Sequence, residues 1–303
     1  QSPVEIRGTG GFLGSFGILT MDAGKLVRKD VASNSDLKNF PAPVVDMGPD
    51  YRYLYGDNGA EWVNMNLSPN FPYAGIQWQT AWRDQAGETP AGVIAIDLSA
   101  MQSLLAATGP VTAPDGREIT ADNVIPFLGY EIYVEFVDDS TARKDYQAEI
   151  ATILLERVIQ LDGNTQPIIE ALTESVSGGH LQIWSGDPGI QSTLATTPLA
   201  GQTPTAPGPY AQLVLNNGGG NKLDYFLARK VVYTGGKCEG DVRSSTIAAT
   251  LTNTATVDSV AGLPSVSGSA ATCARGRRCG PTAFRGGKRP MAFCVSGVVQ
   301  TVA

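Results

Sequence analysis

The stretch GVIAIDLSAMQSLLAATGPVT, residues 92–112, constrains the fold more than any other segment. Gly92 to Ile96 is a β-rich run, and Asp97 or Ser99 is placed to cap a helix that sets Met101, Leu104 and Leu105 against a sheet. Gly109 and Pro110 end that helix, and Val111 resumes extended chain. Strand, helix and strand in so short a span predict an α/β domain.

A second helix is signalled by STARKDYQAEIATILLERVIQL, where Ile150, Ile153, Leu154 and Val158 keep helical spacing. Arg143 and Lys144 stand in its first turn, where a cation opposes the helix dipole at about 0.3–1 kcal/mol each unless an anion shares the helix N-terminus. Asp138 and Asp139 precede them and could hold a cation, but read first as capping residues. Nearer the start, FLGSFGILTM and KLVRKDV form two strands joined at Asp22-Ala23-Gly24. Residues 41–72, rich in Pro, Asn, Gly and Tyr, predict a long ordered loop or an insertion, and such loops in compact domains are usually functional.

After Gly178 the spacing changes to alternation, in HLQIW, YAQLVLNN, LDYFLARKVVYT and STIAATLTNTATV, with LNNGGGNKLDYF as a turn joining two strands. The expected organisation is a mixed sheet flanked by helices over residues 1–200, a β-rich domain over 205–262, and a Gly- and Arg-rich tail over 263–303.

A net charge of -7 argues against a nucleic-acid partner, because phosphate binding needs a surplus of Lys and Arg. Arg275, Arg277, Arg278, Arg285, Lys288 and Arg289 all lie in the tail, so the body of the chain is more acidic still, and the basic block reads as a solvated or wall-facing segment. Cys238, Cys273, Cys279 and Cys294 lack zinc-site spacing and fit one or two disulfides in an oxidising compartment, with three pairings open. The single histidine, His180 in SGGHLQIW, rules out a His-rich zinc site and reads as a turn residue, so no metal site is expected from these side chains. No run approaches the ~18 apolar residues of a membrane span. The Gln-Ser-Pro start, with no Met, predicts a processed, truncated or partly observed product that lacks an upstream targeting segment.

Candidate binding residues gather at EIRGTGGFLG. The glycines lead into a strand and no Lys-Ser/Thr follows, so this is not a nucleotide loop; they permit a tight turn or close backbone approach. Arg7, at a strand mouth, presents a rigid donor fork suited to carboxylate or phosphate. Glu5 shares its face two positions away, so an ion pair between the two is the alternative. Asn64, Asn66 and Asn70, with Asp57, can hold a sugar by paired hydrogen bonds while Trp62, Phe71, Tyr73 and Trp78 stack on it, or they simply make turns.

The motifs EIRGTGGFLGSFGILTMDAGKL, NMNLSPNFPYAG, GVIAIDLSAMQSLLAATGPV and RKDYQAEIATILLERV, in that order, resemble an uncharacterised family of bacterial surface proteins common in actinobacteria, domain of unknown function 4012. NNGGGNKLDYFLARKVVY extends the resemblance over about residues 1–260. That family is in turn similar to the LytR-CpsA-Psr proteins, which transfer glycopolymers from a polyprenyl-pyrophosphate carrier to the cell wall. The resemblance implies a LytR-CpsA-Psr-like α/β fold and an extracytoplasmic, membrane-anchored protein at the cell surface. Its partner would be a polyprenyl-linked glycan or cell-wall polymer, with Arg7, Arg143 and Lys144 on the pyrophosphate and the prenyl chain in the apolar core. It also implies glycopolymer phosphotransferase activity supported by Mg2+. Where those transferases carry an acidic metal ligand after the first arginine, however, this chain has Gly8, Thr9 and Gly10, and their second arginine-aspartate motif has no equivalent. A non-catalytic surface or assembly protein with a decayed site is the alternative expectation.

Overall fold

The computed structural model describes residues 2–23, 25–159, 165–205, 210–218, 221–240, 242–261 and 263, with strand pieces at Pro281–Thr282, Met291–Ala292 and Val295–Val298. Strand β1 (Ser2–Ile6) runs antiparallel to the two-residue β2 (Gly11–Phe12). Next comes the expected hairpin of β3 (Ser15–Asp22) and β4 (Lys25–Ser33). The Pro-rich stretch is not a plain loop. It contains α1 (Pro49–Tyr55) and two 3-10 turns, and it leads directly into α2 (Phe71–Ala86), which the sequence reading passed over. The signals for α2 are present: Pro72 occupies its first turn, and Gly87 ends it at φ 75°. Its inner stripe, Phe71, Ala74, Trp78 and Ala81, has helical spacing.

Strand β5 (Gly92–Ile96) feeds α3 (Leu98–Thr108), capped by Asp97, whose Oδ1 accepts from the backbone N–H groups of Ser99 (2.8 Å) and Ala100 (3.1 Å). The strand after α3 does not return to the sheet of β5. Instead β6 (Val111–Thr112) turns back at once to pair with β7 (Glu118–Ile119), and the partner of β5 is β8 (Leu181–Ser185), also antiparallel. Among the described residues every ladder is two-stranded and antiparallel, so the architecture is mixed α/β with several small sheets in place of the one mixed sheet expected.

A helical run follows: α4 (Val124–Pro126), a π turn over Phe127–Glu131, and α5 (Ile132–Glu135). It precedes α6 (Ser140–Ile159) and α7 (Thr165–Ser177), and α8 (Pro188–Leu194) comes after β8. Strand β9 (Gln212–Leu215) does not pair with β10 (Leu227–Glu239); β10 pairs with β11 (Val242–Asn253), ahead of the short α9 (Val257–Ala261). The segment between β9 and β10, expected as a simple turn, packs back against β1: Asn217 N–H donates to Ile6 O (2.9 Å), and Asn216 Nδ2 donates to Leu67 O (3.1 Å). Cys238 lies exposed on β10 with no sulfur partner among the described residues, and Cys273, Cys279 and Cys294 lie outside them, as does most of the basic tail.

The interior has two apolar clusters. One joins Leu105, Ile119, Phe127, Ile132 and Ile150; the other joins Trp62, Met65, Phe71, Trp78 and Trp184. No helix in the described residues is long and apolar enough to cross a membrane.

Candidate functional site

Both clusters contribute walls to one cavity of about 1900 Å3. Its lining is mainly apolar, with Phe16, Ile18, Trp82, Val93, Leu104 and Leu155 among its walls. Its charged lining residues are Glu5 of β1, Glu88, Arg143, Lys144 and Arg157 of α6, and Lys222, and of these Glu5, Arg143 and Lys222 gather about Tyr133 of α5.

Lys222 is the residue that sequence reasoning missed. Its ammonium pairs with the Glu5 carboxylate, 217 residues away, so Glu5 is bound to Lys222 and not to its sequence neighbour Arg7. Burial by itself disfavours the charged lysine, but Tyr133 and Glu5 outweigh it, and the Lys222 pKa is raised. The segment carrying Lys222 is held on β1 by Asp224, whose Oδ2 accepts from Ile6 N–H (2.8 Å) and Asn217 Nδ2 (2.9 Å). Burial pushes the Asp224 pKa up, against those two hydrogen bonds. Nothing local in the sequence around 222 marks it, because its role depends on a contact made by folding.

Arg7 is also placed by tertiary contacts. It is buried, and its guanidinium donates to the carbonyls of Ile6 (3.1 Å), Asn217 (3.1 Å) and Val63 (3.3 Å), tying β1 to two distant segments. Desolvation lowers its pKa despite Glu5, Asp224 and Glu61. It does not line the cavity. Gly8 beside it is required for packing: a Cβ there would overlap the Leu67 carbonyl, the close backbone approach expected of this glycine run.

Arg143 and Lys144 do reach the cavity. The cost of cations at the start of α6 is offset by Asp139, whose Oδ1 accepts from Thr141 (3.1 Å) and Ala142 (2.9 Å) N–H, the capping role expected. Arg143 Cζ lies 4.5 Å from the Tyr133 ring centroid, and its Nε is buried without a hydrogen-bond partner. Lys144 Nζ donates to Ser35 Oγ (2.7 Å).

The asparagines are not brought together as a sugar platform. Asn64 Nδ2 bonds Glu61 (2.8 Å) at the surface. Fully buried Asn66 donates to the carbonyls of Thr9 (2.8 Å) and Gly11 (2.9 Å), strapping the glycine turn, and Asn70 Oδ1 accepts from Thr203 N–H (3.0 Å). Trp62, Phe71 and Trp78 are core residues, so of the four aromatics proposed for stacking only Tyr73 is exposed.

Residues 1–133 match the DUF4012 family, described as a protein of unknown function. The DUF4012 match, shorter than the stretch expected, contains Glu5, Arg7 and Tyr133, while Arg143, Lys144 and Lys222 lie beyond it. No curated protein and no solved structure matches the chain, and the more distant likeness to LytR-CpsA-Psr proteins is not among these matches.

His180 lies apart from the cavity, at the turn joining α7 to β8, as expected. Its Nδ1 is 2.8 Å from Oδ2 of the helix cap Asp97. The hydrogen bond to Asp97 raises the His180 pKa, against partial burial and with help from the Asp97 and Glu174 charges. A histidine with a raised folded pKa contributes stability that is fully present below its unfolded value near 6.5 and is lost as pH rises through the folded value. The difference in Tm between wild type and His180→Ala is therefore expected to be larger at pH 5.5 than at pH 8.5, and a gap independent of pH would contradict the charged pair.

Proposed function

We propose that the protein binds a polyprenyl-pyrophosphate-linked glycan on the extracytoplasmic side of the cell envelope, with the prenyl chain in the cavity and the phosphates at Arg143 and Lys144. The reading is carried by one observation, a mainly apolar cavity of about 1900 Å3 whose wall also holds those two cations. Small-molecule sites usually span ~300–1,000 Å3, so this volume suits a long hydrocarbon chain better than a compact metabolite. Each buried methylene contributes about 0.8 kcal/mol, and an arginine fork with a neighbouring ammonium suits phosphate oxygens. Arg7 supports the site from behind by fixing β1, on which Glu5 stands. A LytR-CpsA-Psr-like fold and a membrane anchor belong to the same proposal.

Transfer of the glycan would call on Mg2+ in the LytR-CpsA-Psr proteins. Here the cavity-lining carboxylates Glu5 and Glu88 are paired with Lys222 and Lys29, and among the described residues no three His, Cys, Asp or Glu side chains gather as a metal site. These residues do not fit a magnesium ion. The proposal is therefore one of binding, and transfer is what product formation would reveal.

A surface assembly role is favoured by a separate feature. The β10–β11 ladder exposes Val231, Tyr233 and Ile247, and its register puts all three on one face.

Native mass spectrometry with a short-chain prenyl pyrophosphate tests the binding proposal. Wild type is expected to form a one-to-one adduct, and Arg143→Ala to bind at least about tenfold more weakly. No adduct with folded wild type would end it.

A further inference from the structure

Lys222 meets the cavity already neutralised. It is paired with Glu5, and both side chains line the cavity beside Tyr133. Lys222 Nζ lies 4.4 Å from the Tyr133 ring centroid and Arg143 Cζ lies 4.5 Å from it, so one aromatic ring carries two cations. The buried, unpartnered Arg143 Nε is a donor whose desolvation is offset by no hydrogen bond. Two cations and one carboxylate thus meet at Tyr133, and Lys144 lines the same mainly apolar space.

We infer that Lys222 is a phosphate ligand of this cavity, and that Glu5 is its resident counter-ion, released from Lys222 when a diphosphate headgroup arrives. The inference rests on the lipid-binding proposal above. A lysine in an apolar wall needs a negative partner to stay charged, and Glu5 supplies it before a ligand binds. A diphosphate brings enough negative charge to replace Glu5 at Lys222 and to give Arg143 Nε a charged acceptor, whereas a prenyl alcohol offers a neutral hydroxyl that cannot replace a carboxylate. The exchange is confined to side chains. Asp224 and Asn217 keep the Lys222 segment fastened to β1 through Ile6, so Lys222 changes partner without moving its backbone. Glu5 then opposes binding twice, by competing for Lys222 and by repelling the incoming phosphates.

The test is titration of the full chain with geranylgeranyl diphosphate and geranylgeraniol, after thermal melts show each variant folded. Wild type is expected to prefer the diphosphate at least about tenfold. Glu5→Gln, which keeps the shape and removes the charge, is expected to bind the diphosphate about three- to tenfold more tightly and the alcohol unchanged. The double variant Glu5→Gln with Lys222→Met, neutral at both positions, is expected to lose at least about thirtyfold for the diphosphate relative to Glu5→Gln, which leaves it at least about threefold weaker than wild type, and to keep its alcohol affinity. Weaker or unchanged diphosphate binding by Glu5→Gln would overturn the counter-ion role. If Glu5→Gln does not fold, the double variant decides: diphosphate affinity equal to wild type overturns Lys222 as a ligand. Equal wild-type affinity for alcohol and diphosphate would overturn the headgroup site and leave the lipid cavity standing, whereas failure of both ligands to bind would remove both proposals.

Discussion

Glu5→Ala is expected to destabilise the protein by about 3–5 kcal/mol, read as a lower urea midpoint at pH 7. The carboxylate is buried and the Lys222 side chain is only 13% exposed, so removing one partner leaves a desolvated ammonium in an apolar wall. Adding Lys222→Met should recover much of the loss, because a neutral pair of suitable volume replaces a buried ion pair at little cost. A single-variant loss below about 1 kcal/mol is what an exposed pair would show, and would mean that the two charges are solvated. The same pair connects stability to the proposed binding. Glu5→Ala should gain more in Tm from a diphosphate ligand than wild type does, since the ligand would supply the missing anion.

Trp184→Ala should cost a similar amount, about 3–5 kcal/mol. Trp184 is the point where β8 meets α2: it is buried in the cluster of Trp62, Phe71 and Trp78, and its ring lies against the backbone of Gly75. A Cβ at Gly75 would come within 2.5 Å of Trp184 Cγ, so the helix can approach the strand only with glycine there. Gly75→Ala is accordingly expected to destabilise by about 1–3 kcal/mol through overpacking, despite the higher helix propensity of alanine. Denaturant melts of both variants check this, and a neutral Gly75→Ala would show that the ring has room to withdraw.

Local elements were legible because their causes are local. The cap at Asp97, the stop at Gly109, the hairpin of β3 and β4 and the helix over 140–159 follow from side chains within a few residues of where they act. Helix α2 has equally local causes in Pro72, its apolar stripe and Gly87, while the Pro- and Asn-rich text before it carries the opposing signal of a loop. Strand pairing was not legible. Strand β5 carries the same residues whether it joins the strand after α3 or β8, and the choice depends on packing between helices distant in the chain.

The site divides along the same line. By itself the sequence determined that Arg143 and Lys144 begin a helix with an aspartate, Asp138 or Asp139, before it to cap it, and that the glycines after Arg7 allow close backbone approach. Only the tertiary structure decided that Arg7 is spent on backbone carbonyls, that Asn66 is a strap, and that Glu5 belongs to Lys222. A donor fork or a carboxylate reads the same at any position, and what it holds depends on which of its possible partners folding brings near and strips of water.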